Sequence, residues 1–190
     1  MSNTDGITDE IRRREEEYFR RKDRELIARM REAECAAKLR AGLESETGIH
    51  DSESLAELEE LGFTPDTCAL LPLIPLLQVA WAQDGVSAAE RTAIVNLARS
   101  RGIDAGSPAD LQLTAWLDHP PSPDTFAKAT RLIAAMMDPP GTEGSRATAE
   151  ELIKECEAIA HASGGMFGIG AVSAAERKAL EQIAAKLRNP

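Results

Sequence analysis

The fold of this chain is decided first by residues 7–41, ITDEIRRREEEYFRRKDRELIARMREAECAAKLRA. This stretch contains no glycine and no proline, and it holds half of the chain's 22 Lys and Arg residues. Because both helix-breaking residues are missing, the sequence predicts one long helix here. At about 1.5 Å per residue, the helix would be about 50 Å long. Gly42 and Gly48 are its predicted stop signals.

The front half of this helix, residues 9–23, is almost entirely charged. Acidic and basic residues recur four positions apart, as in Glu16 and Arg20, and such pairs add a few tenths of a kcal/mol each to a helix. Amid these charges stand Phe19 and the only tyrosine of the protein, Tyr18. A bulky aromatic pair on an otherwise solvated helix indicates a helix that docks on something else.

The rear half carries an apolar stripe. Its members lie three or four residues apart and are Leu26, Met30, Ala33 and Ala37. A stripe with this spacing packs on the body of the protein or on a second copy of itself. We therefore divide the chain into a charged, partner-binding helical arm, residues 1–44, and an acidic body, residues 45–190.

The body reads as one helix after another. Helices are predicted near residues 52–61, 64–82, 87–101, 108–118, 123–138, 147–162 and 174–188, with a loop at 139–145. The second of these is apolar nearly all round, which indicates the central buried helix, and Pro72 and Pro75 should kink it or break it in two. No segment alternates apolar and polar residues, so we expect an all-α fold with about seven helices after the long first one.

Charge and cysteine content exclude several classes of protein. The net charge of −10 comes from the body, which repels phosphate, and the balanced arm is expected to offer no basic stripe, so we expect no nucleic-acid partner. Cys35, Cys68 and Cys156 lie far apart without a C-x-x-C motif, which argues against disulfides and zinc and for a reducing compartment. The polar start and the lack of a long apolar run predict a cytoplasmic protein with no membrane insertion.

One hexapeptide, VSAAER, occurs twice, at residues 86–91 and 172–177. Within it, Ser-x-x-Glu is the signature of a capping box, in which serine and glutamate side chains bind free N–H groups at a helix start. We expect two such caps. A second interpretation is that two related helix starts face each other and share a site.

The body resembles the TerB-like tellurite-resistance family over roughly residues 50–188. The resemblance is carried by AWAQDGVSAAE at 80–90, GSP at 106–108, WL at 116–117, GG at 164–165 and VSAAE at 172–176. It implies a compact helical domain whose acidic residues hold a divalent metal, with Asp84, Glu90 and Glu176 as the candidate ligands here. The chain has Gln83 where the family has aspartate, and residues 169–171 supply no carboxylate, so we expect capping groups and no resident cofactor.

The arm is similar to the inhibitory helix of the mitochondrial-type F1-ATPase inhibitor family over about residues 10–31. The matching segments are EEEYFRRK at 15–22, ELI at 25–27 and MR at 30–31. The resemblance implies that the helix wedges between ATPase subunits and blocks rotation. It assigns Tyr18 and Phe19 as apolar anchors. It assigns Glu15, Glu16 and Arg20 as polar contacts, and Leu26 and Met30 as residues that continue the docking face. The histidine-bearing stretch of that family is EAEC here, at 32–35.

No catalytic constellation is recognisable in the sequence. His50 and His119 lie in expected loops, and Cys156 and His161, five residues apart, do not share a helix face. We therefore expect a non-catalytic regulatory or adaptor protein that docks its arm on a protein partner, with the F1 head of an F-type ATP synthase as leading candidate. The alternative is a stress module of the tellurite-resistance type that binds divalent metal and uses the arm for oligomerisation.

Overall fold

The computed structural model describes residues 3–83, 85–137, 143–162 and 172–188, with side chains described from Arg12 in the first helix and from Thr148 in the seventh. Within these ranges the chain forms eight α-helices and one 3₁₀ helix, and no strand. They are α1 (Asn3–Thr47), α2 (Ser52–Glu60), the 3₁₀ helix (Cys68–Leu73), α3 (Ile74–Ala80), α4 (Ala88–Ser100), α5 (Pro108–Asp118), α6 (Pro123–Met136), α7 (Glu143–Ala162) and α8 (Ala174–Arg188). The predicted all-α class, with a long first helix and seven further helices, is confirmed.

The chain divides into two compact units, Met1–Ala41 and Gly42–Pro190, and the boundary falls inside α1. The first unit consists of the charged part of that helix. The second unit holds the last residues of α1 and every later element, and it contains the hydrophobic core.

The core of the second unit is built around the 3₁₀ helix and α3. Their large side chains are fully buried: Leu70, Leu71, Leu73, Ile74, Leu76 and Leu77. Helices α4, α6, α7 and α8 all pack against α3. The prediction of a central buried helix is confirmed, and so is its break in two, because Pro72 lies inside the 3₁₀ helix and Pro75 in the first turn of α3.

The predicted start of this helix at residue 64 is wrong. Instead Thr64 and Thr67 form a turn, in which the Thr64 N–H donates to Thr67 Oγ1 (2.9 Å) and the Thr67 N–H donates to the Thr64 carbonyl (2.9 Å). Hydroxyl side chains commonly close turns in this way. The helical segment therefore begins only at Cys68.

Serine caps set several helix starts. Ser107 and Ser122 accept a backbone N–H and are each followed by proline at the first helical position, so α5 and α6 begin as predicted. The predicted bounds of α5 and α8 are confirmed at both ends, whereas α6 ends at Met136. Helix α7 begins at Glu143, so the predicted loop is wrong from that residue on, and its earlier part lies outside the described residues.

The structure corrects the role assigned to Gly42. Helix α1 passes through Gly42 and ends at Thr47, where Gly48 takes a φ of 69°. A Cβ atom at Gly42 would lie 2.4 Å from Cγ of Pro65. Gly42 therefore permits a close approach between α1 and the turn that carries Pro65, rather than ending the helix.

Side chains from elsewhere in the second unit hold the C-terminus of α5. The Trp81 indole N–H donates to the Trp116 carbonyl (2.9 Å), and Arg91 donates to the Leu117 carbonyl (2.8 Å) and to Asp118 (2.6 Å). These bonds satisfy carbonyl groups that a helix end leaves without internal partners. Both tryptophans thus lie at helix contacts.

Candidate protein-docking helix

Ion pairs along its surface support the helical form of α1. They include Arg20–Glu16 (3.8 Å), Arg21–Glu25 (4.0 Å), Lys22–Glu25 (3.4 Å) and Lys38–Glu34 (2.7 Å). All of these side chains are largely exposed, so each pair adds only a few tenths of a kcal/mol. The expected pairing of Glu16 with Arg20 is present, and Arg21 pairs with Glu25.

From Arg12 onward, where the side chains of α1 are described, five large apolar side chains of this helix are exposed. Their exposed fractions are 48% for Tyr18, 61% for Phe19, 57% for Leu26, 48% for Ile27 and 63% for Met30. Isolated apolar residues are common on protein surfaces, but several on one short length of helix indicate a contact face. Four of the five are residues that the sequence analysis named as docking residues.

Three of these side chains share one face of the helix. At about 100° per residue, Phe19, Leu26, Met30, Ala33 and Ala37 fall within an arc of about 60° and extend over about 27 Å. We call these five residues the apolar stripe. Both alanines are also exposed, and the stripe begins at Phe19, earlier than the sequence analysis placed it.

Tyr18 lies beside the stripe rather than on it. Its ring centroid is 5.8 Å from that of Phe19, in an edge-to-face arrangement. The Arg21 guanidinium and the Lys22 ammonium each lie 5.8 Å from the centroid of the Tyr18 ring, within the range of cation–π attraction. The two predicted anchors therefore face directions about 100° apart, and one groove would receive Phe19 more directly than Tyr18.

Ile27 lies on the opposite flank of the stripe from Tyr18, and the sequence analysis did not include it among the site residues. Its signal in the sequence is its position next to Leu26 in a stretch that is otherwise charged. Of the three polar residues assigned to the site, Glu16 and Arg20 pair with each other, and Glu15 is exposed.

The arm carries a row of basic side chains that its balanced net charge did not indicate. Basic side chains recur seven, four, seven and seven residues apart, within an arc of about 40°: Arg13, Arg20, Arg24, Arg31 and Lys38. This basic row lies about 125° around the helix from the apolar stripe. Carboxylates interrupt it, because Glu16 pairs with Arg20 and Glu34 with Lys38.

The two predicted capping boxes are both formed in the second unit. The Ser87 N–H donates to Oε2 of Glu90 (2.7 Å) and the Ser173 N–H donates to Oε2 of Glu176 (2.7 Å), while each serine hydroxyl accepts the N–H of its glutamate. Both glutamates are buried, with exposed fractions of 2% and 1%. Their carboxylates therefore serve the helix starts.

The structure describes two of the three candidate metal ligands. Asp84 lies outside the described residues, and Glu90 and Glu176 accept N–H groups in the caps. No group of three or more His, Cys, Asp or Glu residues suited to a metal ion occurs in the described part of the chain. A hard cation takes about six oxygen ligands. A metal at these helix starts stays a prediction that rests on the resemblance alone.

Cys156 and a cleft in the second unit are the remaining features of chemical interest. Cys156 is fully buried and burial raises the pKa of its thiol to about 12, whereas His161 is exposed. Since the thiolate is the reactive form, Cys156 is a poor nucleophile. A cleft of about 370 Å³ between α6 and α7 has apolar walls and an Arg101–Glu155 ion pair, and no cysteine or histidine is among its described lining residues.

No protein-family model matches this chain, and comparisons with curated proteins and with solved structures give no significant match either. Among the described residues, no helix combines the length and the apolar character needed to span a bilayer. Inferences about function therefore start from the exposed face of α1.

Proposed function

We propose that this protein acts by binding rather than by catalysis, and that α1 docks its apolar stripe into a groove on a protein partner. The observation that carries the proposal is the exposure of Phe19, Leu26 and Met30 on one face of an otherwise largely charged helix, with Tyr18 and Ile27 on its two flanks. Helix-in-groove recognition uses apolar anchors that recur with helical spacing in this way.

The expected contribution of each anchor follows from its exposure. Full burial of a large apolar side chain stabilises a complex by about 1.5–3 kcal/mol. Phe19 is 61% exposed in the free protein. Its burial in a groove would therefore add about 1–2 kcal/mol, a factor of about 5–30 in affinity. Aromatic residues at the centre of an interface commonly dominate binding in this way.

The partner we propose is the F1 head of an F-type ATP synthase, with inhibition of its ATP hydrolysis as the consequence. The support is the segment EEEYFRRK at residues 15–22, together with the similarity that continues to Leu26 and Met30. All four apolar residues that this resemblance assigns to the interface are exposed. In this proposal Glu15, Glu16 and Arg20 supply polar contacts around them.

The experiment measures ATP hydrolysis by purified F1 in the presence of the full-length protein. We expect inhibition at micromolar concentrations, weakened about tenfold by Phe19→Ala, with an unchanged melting temperature. The matched control is Leu111→Ala, because Leu111 is 64% exposed but lies on α5. A wild-type protein without effect on hydrolysis excludes F1 as the partner, and an early-melting Phe19→Ala variant assigns Phe19 to the fold and refutes docking.

The alternative from the tellurite-resistance resemblance concerns the second unit. It proposes that Asp84, Glu90 and Glu176 hold a divalent cation and that the arm serves oligomerisation. Titration with calcium or manganese tests it directly. A rise in melting temperature that Glu176→Gln abolishes supports it, and the absence of both heat and thermal shift excludes it.

A further inference from the structure

We propose that the apolar stripe also pairs with the same stripe of a second copy of this chain, with the two α1 helices antiparallel. The stripe has the spacing of a coiled-coil heptad, in which positions a and d face the partner helix. Position a holds Glu16, Asp23, Met30 and Ala37, and position d holds Phe19, Leu26, Ala33 and Arg40. This inference goes beyond docking on a foreign partner, since it needs no other protein.

In an antiparallel pair each a residue faces a d residue of the second helix. With the twofold axis beside Ala28, three of the four kinds of layer join residues of matching character. The layers are Leu26 against Met30, Phe19 against Ala37, Asp23 against Ala33, and Glu16 against Arg40. The large Phe19 thus meets a small side chain, Leu26 meets another large apolar one, and the outermost layer on each side is an ion pair of opposite charges.

The flanking positions agree with the same register. Arg20 faces Glu34 of the second copy on each side, and Ile27 meets its own copy at the axis. Glu34 already holds Lys38 of its own helix at 2.7 Å, and a carboxylate accepts bonds from more than one cation. Two contacts are unfavourable: Arg29 faces its own copy across the axis, and the Asp23 carboxylate lies against the apolar Ala33.

Other arrangements bring unfavourable groups together. In a parallel pair in register each residue faces its own copy, so Glu16, Asp23 and Arg40 would each meet a like charge. An antiparallel pair shifted by one heptad in one direction pairs Asp23 with Arg40 but places Phe19 against Glu44, and the opposite shift places Asp23 against Leu26. The antiparallel orientation thus avoids the like-charge layers of the parallel pair, and the register with its axis beside Ala28 keeps Phe19 against an apolar residue.

The paired segment lies wholly within the first unit, where residues 16–40 span about 36 Å of helix. Phe19, Leu26 and Met30 are more than half exposed, so pairing requires no unfolding of the arm. Burial of these side chains, of Ile27 and of the alanines supplies the driving force, and the charged layers supply orientation.

The first test is sedimentation velocity of the full-length protein alone over a range of concentrations. We expect a reversible dimer that Glu16→Arg weakens about tenfold, because the substitution places two arginines in each outer layer. The double variant Glu16→Arg/Arg40→Glu should restore wild-type dimerisation, since both ion pairs form again with reversed signs. Glu32→Arg is the control, because position 32 makes the same charge change away from the stripe.

The second test determines orientation by disulfide crosslinking in a Cys35→Ser background, where the remaining cysteines are buried. A mixture of Leu26→Cys and Met30→Cys proteins should crosslink in preference to either protein alone, because these positions face each other in the antiparallel pair. Circular dichroism shows whether each variant keeps its helix content.

Three results would overturn the pairing: a monomer at all concentrations, preferential crosslinking of Leu26→Cys to itself, or a double charge reversal that fails to restore the dimer. The proposed docking on F1 is measured separately, by inhibition of hydrolysis. Failure of one proposal is therefore distinguishable from failure of the other.

Discussion

Gly42→Ala is a sensitive test of how α1 packs in the second unit, because two effects of opposite sign act at this position. In an exposed helix interior, alanine is more favourable than glycine by about 1 kcal/mol. Here, however, the added Cβ would lie 2.4 Å from Cγ of Pro65. Ordinary carbon–carbon contacts lie at about 3.5–4.0 Å, so the two atoms would be more than about 1 Å too close.

The magnitude follows from how easily Pro65 can move. Its ring is rigid, and the Thr64–Thr67 turn that carries it is closed by hydrogen bonds. Overpacking of a well-packed site typically costs about 1–3 kcal/mol. After subtraction of the helix gain, we expect a net loss of about 1 kcal/mol and a fall in melting temperature of about 2–4 °C.

The assay is thermal unfolding of four proteins: wild type, Gly42→Ala, Pro65→Ala and the double variant. Removal of the proline ring relieves the contact, so Gly42→Ala should stabilise the Pro65→Ala protein although it destabilises the wild type. This change of sign is the signature of a steric conflict between the two residues. A Gly42→Ala single variant that melts above wild type would show that the contact does not constrain the helix.

Two further predictions concern caps and ionisation. Ser87→Ala and Ser173→Ala should each lower the free energy of unfolding, measured in urea, by about 1 kcal/mol, because both capping boxes have the same geometry. A neutral effect of either substitution would show that its cap contributes nothing. Because burial raises the pKa of Cys156 from 9.0 to about 12, the unfolded thiol ionises first as pH rises. Above about pH 9, the free energy of unfolding of the wild type should therefore fall with pH more steeply than that of Cys156→Ala, by about 1.4 kcal/mol per pH unit. Equal slopes for the two proteins would contradict the raised pKa.

Helix bounds were predictable where a local signal has one meaning. Helix α5 begins at Pro108, directly after its cap Ser107, and α8 begins directly after Ser173, the serine of its capping box, so both were located at their first residue. Gly42 was misinterpreted because glycine marks both helix ends and close contacts. Its contact, Pro65, lies far along the chain, and no local pattern reveals it.

The start of the central helix was misplaced for a similar reason. Thr64-Pro65-Asp66 has the composition of a helix start, but the hydroxyl of Thr67 binds the N–H of Thr64 and closes a turn instead. Leu70 and Leu71, which follow the turn, are fully buried in the core. Such competition between local structures is decided by tertiary contacts.

The exposed aromatic residues of the arm were predictable, but their arrangement was not. Phe19 and Tyr18 stand among charges in the sequence, which suffices to predict that no core surrounds them. Their separation onto two faces, and the continuation of the stripe from Phe19 to Ala37, follow only once the helix is continuous through all of these residues. The basic row was missed because charges were summed rather than placed around the helix.

The burial of the 3₁₀ helix and α3 has a consequence for how the second unit assembles. Helices α4, α5, α6, α7 and α8 pack against this apolar segment, and all of them follow it in the chain. The leucines of this segment therefore stay exposed to solvent until the later helices have been synthesised. We expect no stable partial structure around the middle of the chain alone. Residues 42–190 should acquire their structure in a single cooperative event, with the slowest amide hydrogen exchange at Ile74–Ala80.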